Sequence, residues 1–168
     1  LGEVRKSGGK VTLRGSCALA CQTPFVLNQT VRDNIVFGRA FDKDRYSAVL
    51  RACALEHDMD ELPAGDETEI GERGISLSGG QKARVSLARA AYAQSDIALL
   101  DDPLAAVDAH VGSTLFHKCI CTFMSGATRL LVTNQVQYLR NVDKIVVLED
   151  GNIVHQGTFE ELAQAGVS

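Results

Sequence analysis

Leu77-Ser78-Gly79-Gly80-Gln81 precedes, by about twenty residues, an apolar run that ends in two carboxylates, Ile97-Ala98-Leu99-Leu100-Asp101-Asp102. The first segment predicts a helix from Ser78 to about Ala93. Ser78 and Gln81 have capping-box spacing, and Gln81, Val85, Ala88 and Ala91 share a face. The small residues Ala83, Ser86, Ala88, Ala90 and Ala91 permit close approach to a sheet. The second segment does not alternate, so it predicts a strand buried on both faces. A helix start leaves amide donors without intrahelical partners, and its dipole favours an anion there. Gly79 and Gly80 carry no side chain to hold a phosphate away from those amides. Asp101 falls at a strand's carboxyl end, where α/β sheets place ligands, and can hold magnesium directly or through water. Taken alone, Ser-Gly-Gly-Gln fits equally a capped helix with permissive glycines. Lys82 and Arg84 either raise the local potential or are surface charges.

The rest of the chain supplies an α/β frame. Gly8-Gly9 marks a turn, and Val11, Leu13 and Ala18-Leu19-Ala20 are plausible strand positions. Gln22 to Phe37 is loop-like, with short pieces around Pro24. Tyr46, Val49, Leu50 and Cys53 form one apolar stripe and predict a helix from Asp42, as N-cap, to Glu56. The acidic stretch Asp58 to Glu72 reads as a solvated loop. A further helix is expected from Ala109 to Phe123, with Asp108 as its cap. Leu130-Leu131-Val132-Thr133 and Ile145-Val146-Val147-Leu148 read as buried strands. Asp150-Gly151 reads as a hairpin turn into Ile153-Val154-His155. Thr158 and Glu161 cap a short closing helix. The strand–helix alternation argues a parallel core sheet.

The totals exclude several classes. A formal charge of −4 argues against nucleic acid as the main partner. No run reaches the eighteen or so apolar residues of a membrane helix. The start, Leu1-Gly2-Glu3-Val4-Arg5-Lys6, lacks a signal peptide's apolar core. The five cysteines are an odd set, and Cys119-x-Cys121 has no second pair at metal-ligand spacing. Reduced thiols filling core space are expected.

The text from Gly71 to Ala90 resembles the signature region of ATP-binding cassette transporters. Asp101-Asp102-Pro103-Leu104-Ala105-Ala106-Val107-Asp108 resembles their Walker B strand and D-loop. The combination is similar to the first nucleotide-binding domain of the C, or multidrug-resistance-associated, subfamily. The resemblance implies a P-loop NTPase-like α/β fold with a helical subdomain. It puts that subdomain and the signature helix at about 38–93, and Walker B, D-loop and switch at 94–168. It implies ATP and Mg²⁺ as cofactors, with Asp101 and Gln22 on the metal. Ser78, Gly79, Gly80 and Gln81 face the terminal phosphate held by a second nucleotide-binding domain. Asp108 in the D-loop crosses the dimer interface.

Two catalytic positions depart from the family's active pattern. Asp102 stands where a glutamate usually orients the attacking water. Asn134 stands where a histidine usually contacts the terminal phosphate, and an amide cannot act as a base near neutral pH. Weak or absent hydrolysis is expected at the site they serve. Gln22 fits the family's glutamine loop. Phe25, Val26 and Leu27 are either a patch docking on the transmembrane domains or minor core residues.

No G-x-x-x-x-G-K-[ST] phosphate loop occurs in the chain. The resemblance puts that loop upstream of Leu1, so the expectation is an N-terminally incomplete domain. Such a chain would bind ATP poorly and turn over little by itself. The implied parent is an ATP-driven membrane exporter, with this domain at the membrane's cytoplasmic face and its exported small molecule contacted elsewhere. The rival readings are a degenerate regulatory ATP-binding module, a soluble cassette ATPase acting on DNA or ribosomes, and a nonfunctional fragment. The acidic balance and the subfamily wording disfavour the soluble ATPase.

Overall fold

The computed structural model describes residues 5–72 and 74–166. Leu1 to Val4 and Arg73, parts of the stretches discussed above, lie outside them. The chain divides into two compact units, one reaching Leu131 and one starting at Val132.

The first unit is built on β1 (Cys17–Ala20), β4 (Ile97–Asp101) and β5 (Thr128–Val132), in the order β1-β4-β5. β1 and β4 run parallel, in register from Cys17 opposite Ile97 to Ala20 opposite Leu100. That bears out the expected parallel core. Just before both strands, Ser16 donates from its amide and its hydroxyl to Asp96 Oδ2, each at 2.7 Å. The Asp96 amide donates back to Ser16 Oγ at 3.0 Å. These bonds, the hydroxyl's first, hold the Asp96 carboxyl below its ordinary value.

β2 (Gln29–Thr30) pairs antiparallel with β3 (Glu69–Ile70). Thr30 caps α1 (Val31–Val36) and Asp42 caps α2 (Lys43–Ala52), as its sequence predicts. The expected extension of α2 to Glu56 fails. Ala54 takes a left-handed φ of 51°, and the chain turns to bury Leu55 before α3 (Glu56–Glu61). Burial of one leucine, worth about 2 kcal/mol, outweighs continuation of the helix. The stretch Asp58 to Glu72 is also not a solvated loop. It holds α3, a 3₁₀ turn at Gly65–Glu67 and β3, and Asp58 is buried.

α4 (Gly79–Tyr92) forms as expected, from a complete Ser78–Gln81 capping box. It is buried over most of its surface from Ala83 onward and packs on β1, α1 and α2. The segment from Ala109 is α-helical only as α5 (Ala109–Thr114); it continues as a π-helix, Leu115–Phe123, which buries Leu115, Phe116, Cys119 and Ile120. None of the five cysteines forms a disulfide. Cys53 and Cys119 meet in the core with their Sγ atoms 3.6 Å apart, while the other three are half-buried.

Several expected strands differ in burial. β4 alternates between half-buried and buried positions. Leu130 of β5 is 61% exposed, and Val11 and Leu13 lie outside any strand and are exposed. An unalternating apolar run predicts burial on both faces, but burial requires a covering layer. Among the described residues none covers the outer positions of β5, an edge strand of its sheet.

In the second unit β6 (Ile145–Glu149) pairs antiparallel with β7 (Asn152–Gly157) through the expected Asp150-Gly151 turn. Both turn residues have positive φ, 47° and 77°, as a two-residue hairpin requires. β6 is not a buried strand: Val146 and Leu148 are exposed, and only Ile145 is buried. α6 (Phe159–Gln164) starts at the predicted Thr158–Glu161 capping box.

The Asp96 anchor has a pH signature. Its folded-state value is depressed, so its contribution is present above the ordinary carboxylate range and is lost as pH falls through the folded value. Asp96→Asn is therefore expected to weaken the fold near neutrality. In urea denaturation its deficit against the parent should shrink once the medium is acid enough to protonate Asp96.

Candidate functional site

Parallel pairing of β1 and β4 assembles one edge of the site. With Ala20 opposite Leu100, the next residues place Gln22 and the pair Asp101-Asp102 at the same carboxyl edge. Gln22 and Asp101 are exposed there. Asp102 turns the chain off the sheet with a left-handed φ of 44°, a strained value for a residue with a side chain. Its carbonyl accepts from the Ala105 amide at 3.2 Å. Its Oδ1 is buried and has no hydrogen-bond partner. An unpaired buried carboxylate oxygen is costly and marks a position awaiting a donor or cation.

The donor chemistry suits magnesium. Mg²⁺ is usually held by one or two carboxylates together with water and substrate phosphates. Among the described residues no group of three acidic, histidine or cysteine side chains gathers to form an all-protein cage. Asp101 and Gln22 each carry side-chain oxygen atoms at this exposed edge.

The signature segment is built on the start of α4. Ser78 Oγ accepts from the Gln81 amide at 3.2 Å, and the Ser78 amide donates to Gln81 Oε1 at 2.9 Å. Gln81 Nε2 donates to Asp58 Oδ1 at 2.9 Å. Arg84 binds the same carboxylate with both terminal nitrogens and also donates to the Ala54 carbonyl. Arg84 is therefore an internal ion-pair partner, and Asp58, only 8% exposed, orients the first turn from α3. The polar atoms of Gln81 are thus held within the protein. A Cβ on Gly79 would meet open space, whereas one on Gly80 would come within 3.2 Å of the Ala106 carbonyl. Gly79 leaves the helix start accessible, and Gly80 lets the segment after β4 pack against it.

Asp108 occupies the expected cap. Its Oδ1 accepts from the amides of Val111 and His110 at 2.9 and 3.0 Å. These bonds, the Val111 one first, lower its carboxyl below the usual range. Asn134 belongs to the second unit, exposed in the bend after β5; beside it the Gln135 amide donates to Thr133 Oγ1 at 3.1 Å.

Three supporting residues escape the sequence reading. Asp58 looks like any member of an acidic surface stretch. Asn34 is fully buried: it accepts from the Leu27 amide at 2.7 Å and donates to the carbonyls of Leu27 and Thr30. Arg89 lies inside the buried face of α4. The available signal for Arg89 was a cation within the small-residue run Ala88–Ala91, where a free surface charge is out of place.

A family model described as ABC transporter matches residues 3–105. ABC transporter C family member 12 of Dictyostelium discoideum is 50% identical over 98% of this chain, which spans 12% of that protein. ATP-binding cassette sub-family C member 4 of Mus musculus is 50% identical over 99% of the chain, 13% of its own length. Multidrug resistance protein mrp-7 of Caenorhabditis elegans is 54% identical over 96%, 11% of its length. The chain belongs to the ABC transporter family. Within it, the chain is a nucleotide-binding-domain sequence of the C subfamily. No helix of the described residues is long and apolar enough to cross a membrane.

The Asp58 arrangement is open to test. Asp58→Ala leaves Arg84 without its counter-ion, and should cost about 3 kcal/mol in urea denaturation. Asp58→Asn keeps an acceptor for Gln81 and should cost less. Equal stability of Asp58→Ala and the parent would rule out the ion pair as a structural element.

Proposed function

We propose that this chain is the signature and Walker B part of a nucleotide-binding domain in an ATP-driven exporter, and that it contributes to two composite ATP sites. The shared carboxyl edge of Gln22, Asp101 and Asp102 carries this reading. On that edge Asp101 and Gln22 hold Mg²⁺, which when bound neutralises phosphate charge. Asp102 faces the water that attacks the terminal phosphate; for Asn134, which lies in the second unit, the family resemblance implies a hydrogen bond to that phosphate. Ser78, Gly79 and Gly80 turn the start of α4 toward the phosphate held by a second nucleotide-binding domain. Gln81 belongs to this group as the residue that sets Ser78, and Asp108 closes the D-loop at the dimer interface. The domain boundaries are those of the family: the helical subdomain and signature helix at about 38–93, then Walker B, D-loop and switch to 168. Phe25, Leu27 and Phe37, each exposed on an apolar ring or branch, meet the transmembrane domains at the cytoplasmic face.

The two sites differ in chemistry. Asp102 has the charge of a glutamate on a stem one methylene shorter, and a misplacement of about 1 Å can cost about 10²-fold in rate. Asn134 offers a donor and no base. The site these two serve therefore holds ATP and turns it over slowly, in keeping with a regulatory module. The site that uses Ser78 and Gly79 is the more active one.

In the intact transporter, Asp102→Glu combined with Asn134→His should raise single-turnover hydrolysis at this site by about 10-fold or more. No rise would refute the assignment. Gly79→Ala should leave the chain at least as stable, because the methyl meets open space and alanine loses less backbone entropy in a helix. It should still lower steady-state ATPase activity more than Asp102→Ala does. The reverse order would remove Gly79 from the phosphate site.

A further inference from the structure

Arg89 is 7% exposed and, among the described residues, none of its hydrogen bonds or ring contacts is to a carboxylate. Its Nε donates to the Asn34 carbonyl at 2.7 Å, and one terminal nitrogen to Asn34 Oδ1 at 3.1 Å. Both terminal nitrogens reach the Phe25 carbonyl, at 3.2 and 3.3 Å. The guanidinium carbon lies 4.3 Å from the Phe25 ring centre and 4.7 Å from that of Phe37. A desolvated cation is expensive unless oriented dipoles and ring faces replace water. Here those groups come from one segment, Phe25 to Phe37, and the cation from α4. A hydrophobic side chain at this position would pack without such a geometry; arginine adds five directional donors in a rigid fork.

The same helix makes a second tie one residue-turn on. The Tyr92 hydroxyl donates to the Ala40 carbonyl at 2.7 Å and accepts from the Asp42 amide at 2.8 Å. Phe25 and Phe37 are 47% and 40% exposed, so their rings are gripped by Arg89 while much of their surface stays open. The helix that starts at Ser78 thus ends as the clamp of an exposed aromatic pair.

We propose that Arg89 is a positioning residue through which the Phe25–Phe37 segment and the signature helix move as one piece. A push on the exposed rings is carried along α4 to its first turn. The functional meaning of this coupling rests on the reading given under Proposed function. The coupling itself does not, since it is a mechanical property of the chain.

Amide hydrogen exchange on the full chain tests it without nucleotide. The reporters are the Leu27 amide, bonded to Asn34 Oδ1, the Lys82 amide, bonded to the Ser78 carbonyl, and the Cys53 amide at the end of α2, bonded to the Val49 carbonyl. Arg89→Lys keeps the charge and loses the planar fork. It should speed exchange at Leu27 and at Lys82 by about tenfold while Cys53 stays within about twofold. Phe37→Leu, which removes one ring face and keeps the packing, should shift the same two amides in the same direction by less. A change at Leu27 alone would reduce Arg89 to a loop anchor and overturn the proposal. An equal rise at all three amides would show loss of overall stability, and no change at any would show an idle contact; either result overturns it too. A transporter that binds no nucleotide at Ser78 would refute the functional reading and leave this exchange pattern unaltered.

Discussion

A helix buried over most of its surface must find partners for the polar groups it carries, and α4 meets most of that demand by organising its neighbours. Gln81 and Arg84 converge on Asp58 of α3. Arg89 draws in Asn34 and the Phe25 carbonyl. Tyr92 fixes the turn at Ala40 and Asp42. Leaving any one of these groups unpaired in the interior would cost about 1–3 kcal/mol or more. The loops around α4 therefore have little freedom, although much of their own surface is exposed. The accessible helix start at Gly79 is a consequence of this anchoring: Asp58, Gln81 and Ser78 hold the first turn with side chains and leave Gly79 open.

The second requirement is the parallel pairing of β1 and β4. It delivers Gln22 and the two aspartates to one edge, and the Ser16–Asp96 bonds secure the opposite ends of the same strands. Strain collects where the chain leaves the sheet, at Asp102, whose left-handed backbone and unpaired Oδ1 form an unfavourable combination in an ordinary turn. Strained, under-satisfied residues tend to be retained where a ligand completes them. In the proposed reading that ligand is the nucleotide with its metal ion and water.

Much of this was legible in the sequence. The caps at Ser78, Asp42, Asp108 and Thr158 are local arrangements of three or four residues, and each forms where its spacing predicts. The Asp150-Gly151 hairpin is likewise decided by the conformational freedom of its two residues. Membership of the ABC transporter family was carried by two stretches whose residue order is specific, and the family model and relatives bear it out. What failed were statements about burial. Leu130, Val132, Val146 and Leu148 are apolar and exposed, while Asp58, Asn34 and Arg89 are polar and buried. Polarity predicts burial only on average, because a particular residue's environment depends on which element packs over it.

The amino-acid order by itself determined where α2, α4, α5 and α6 begin and where the hairpin turns, because those outcomes depend on groups a few bonds apart. Only the tertiary structure decided that α2 stops at Ala52 so that Leu55 can be buried, and that Asp58 leaves the surface to pair with Arg84. The same holds for Arg89, which lies 64 positions from Phe25 in the chain and yet grips its ring. Such contacts join residues far apart in sequence, and their free energy arises only once the core has excluded water from both.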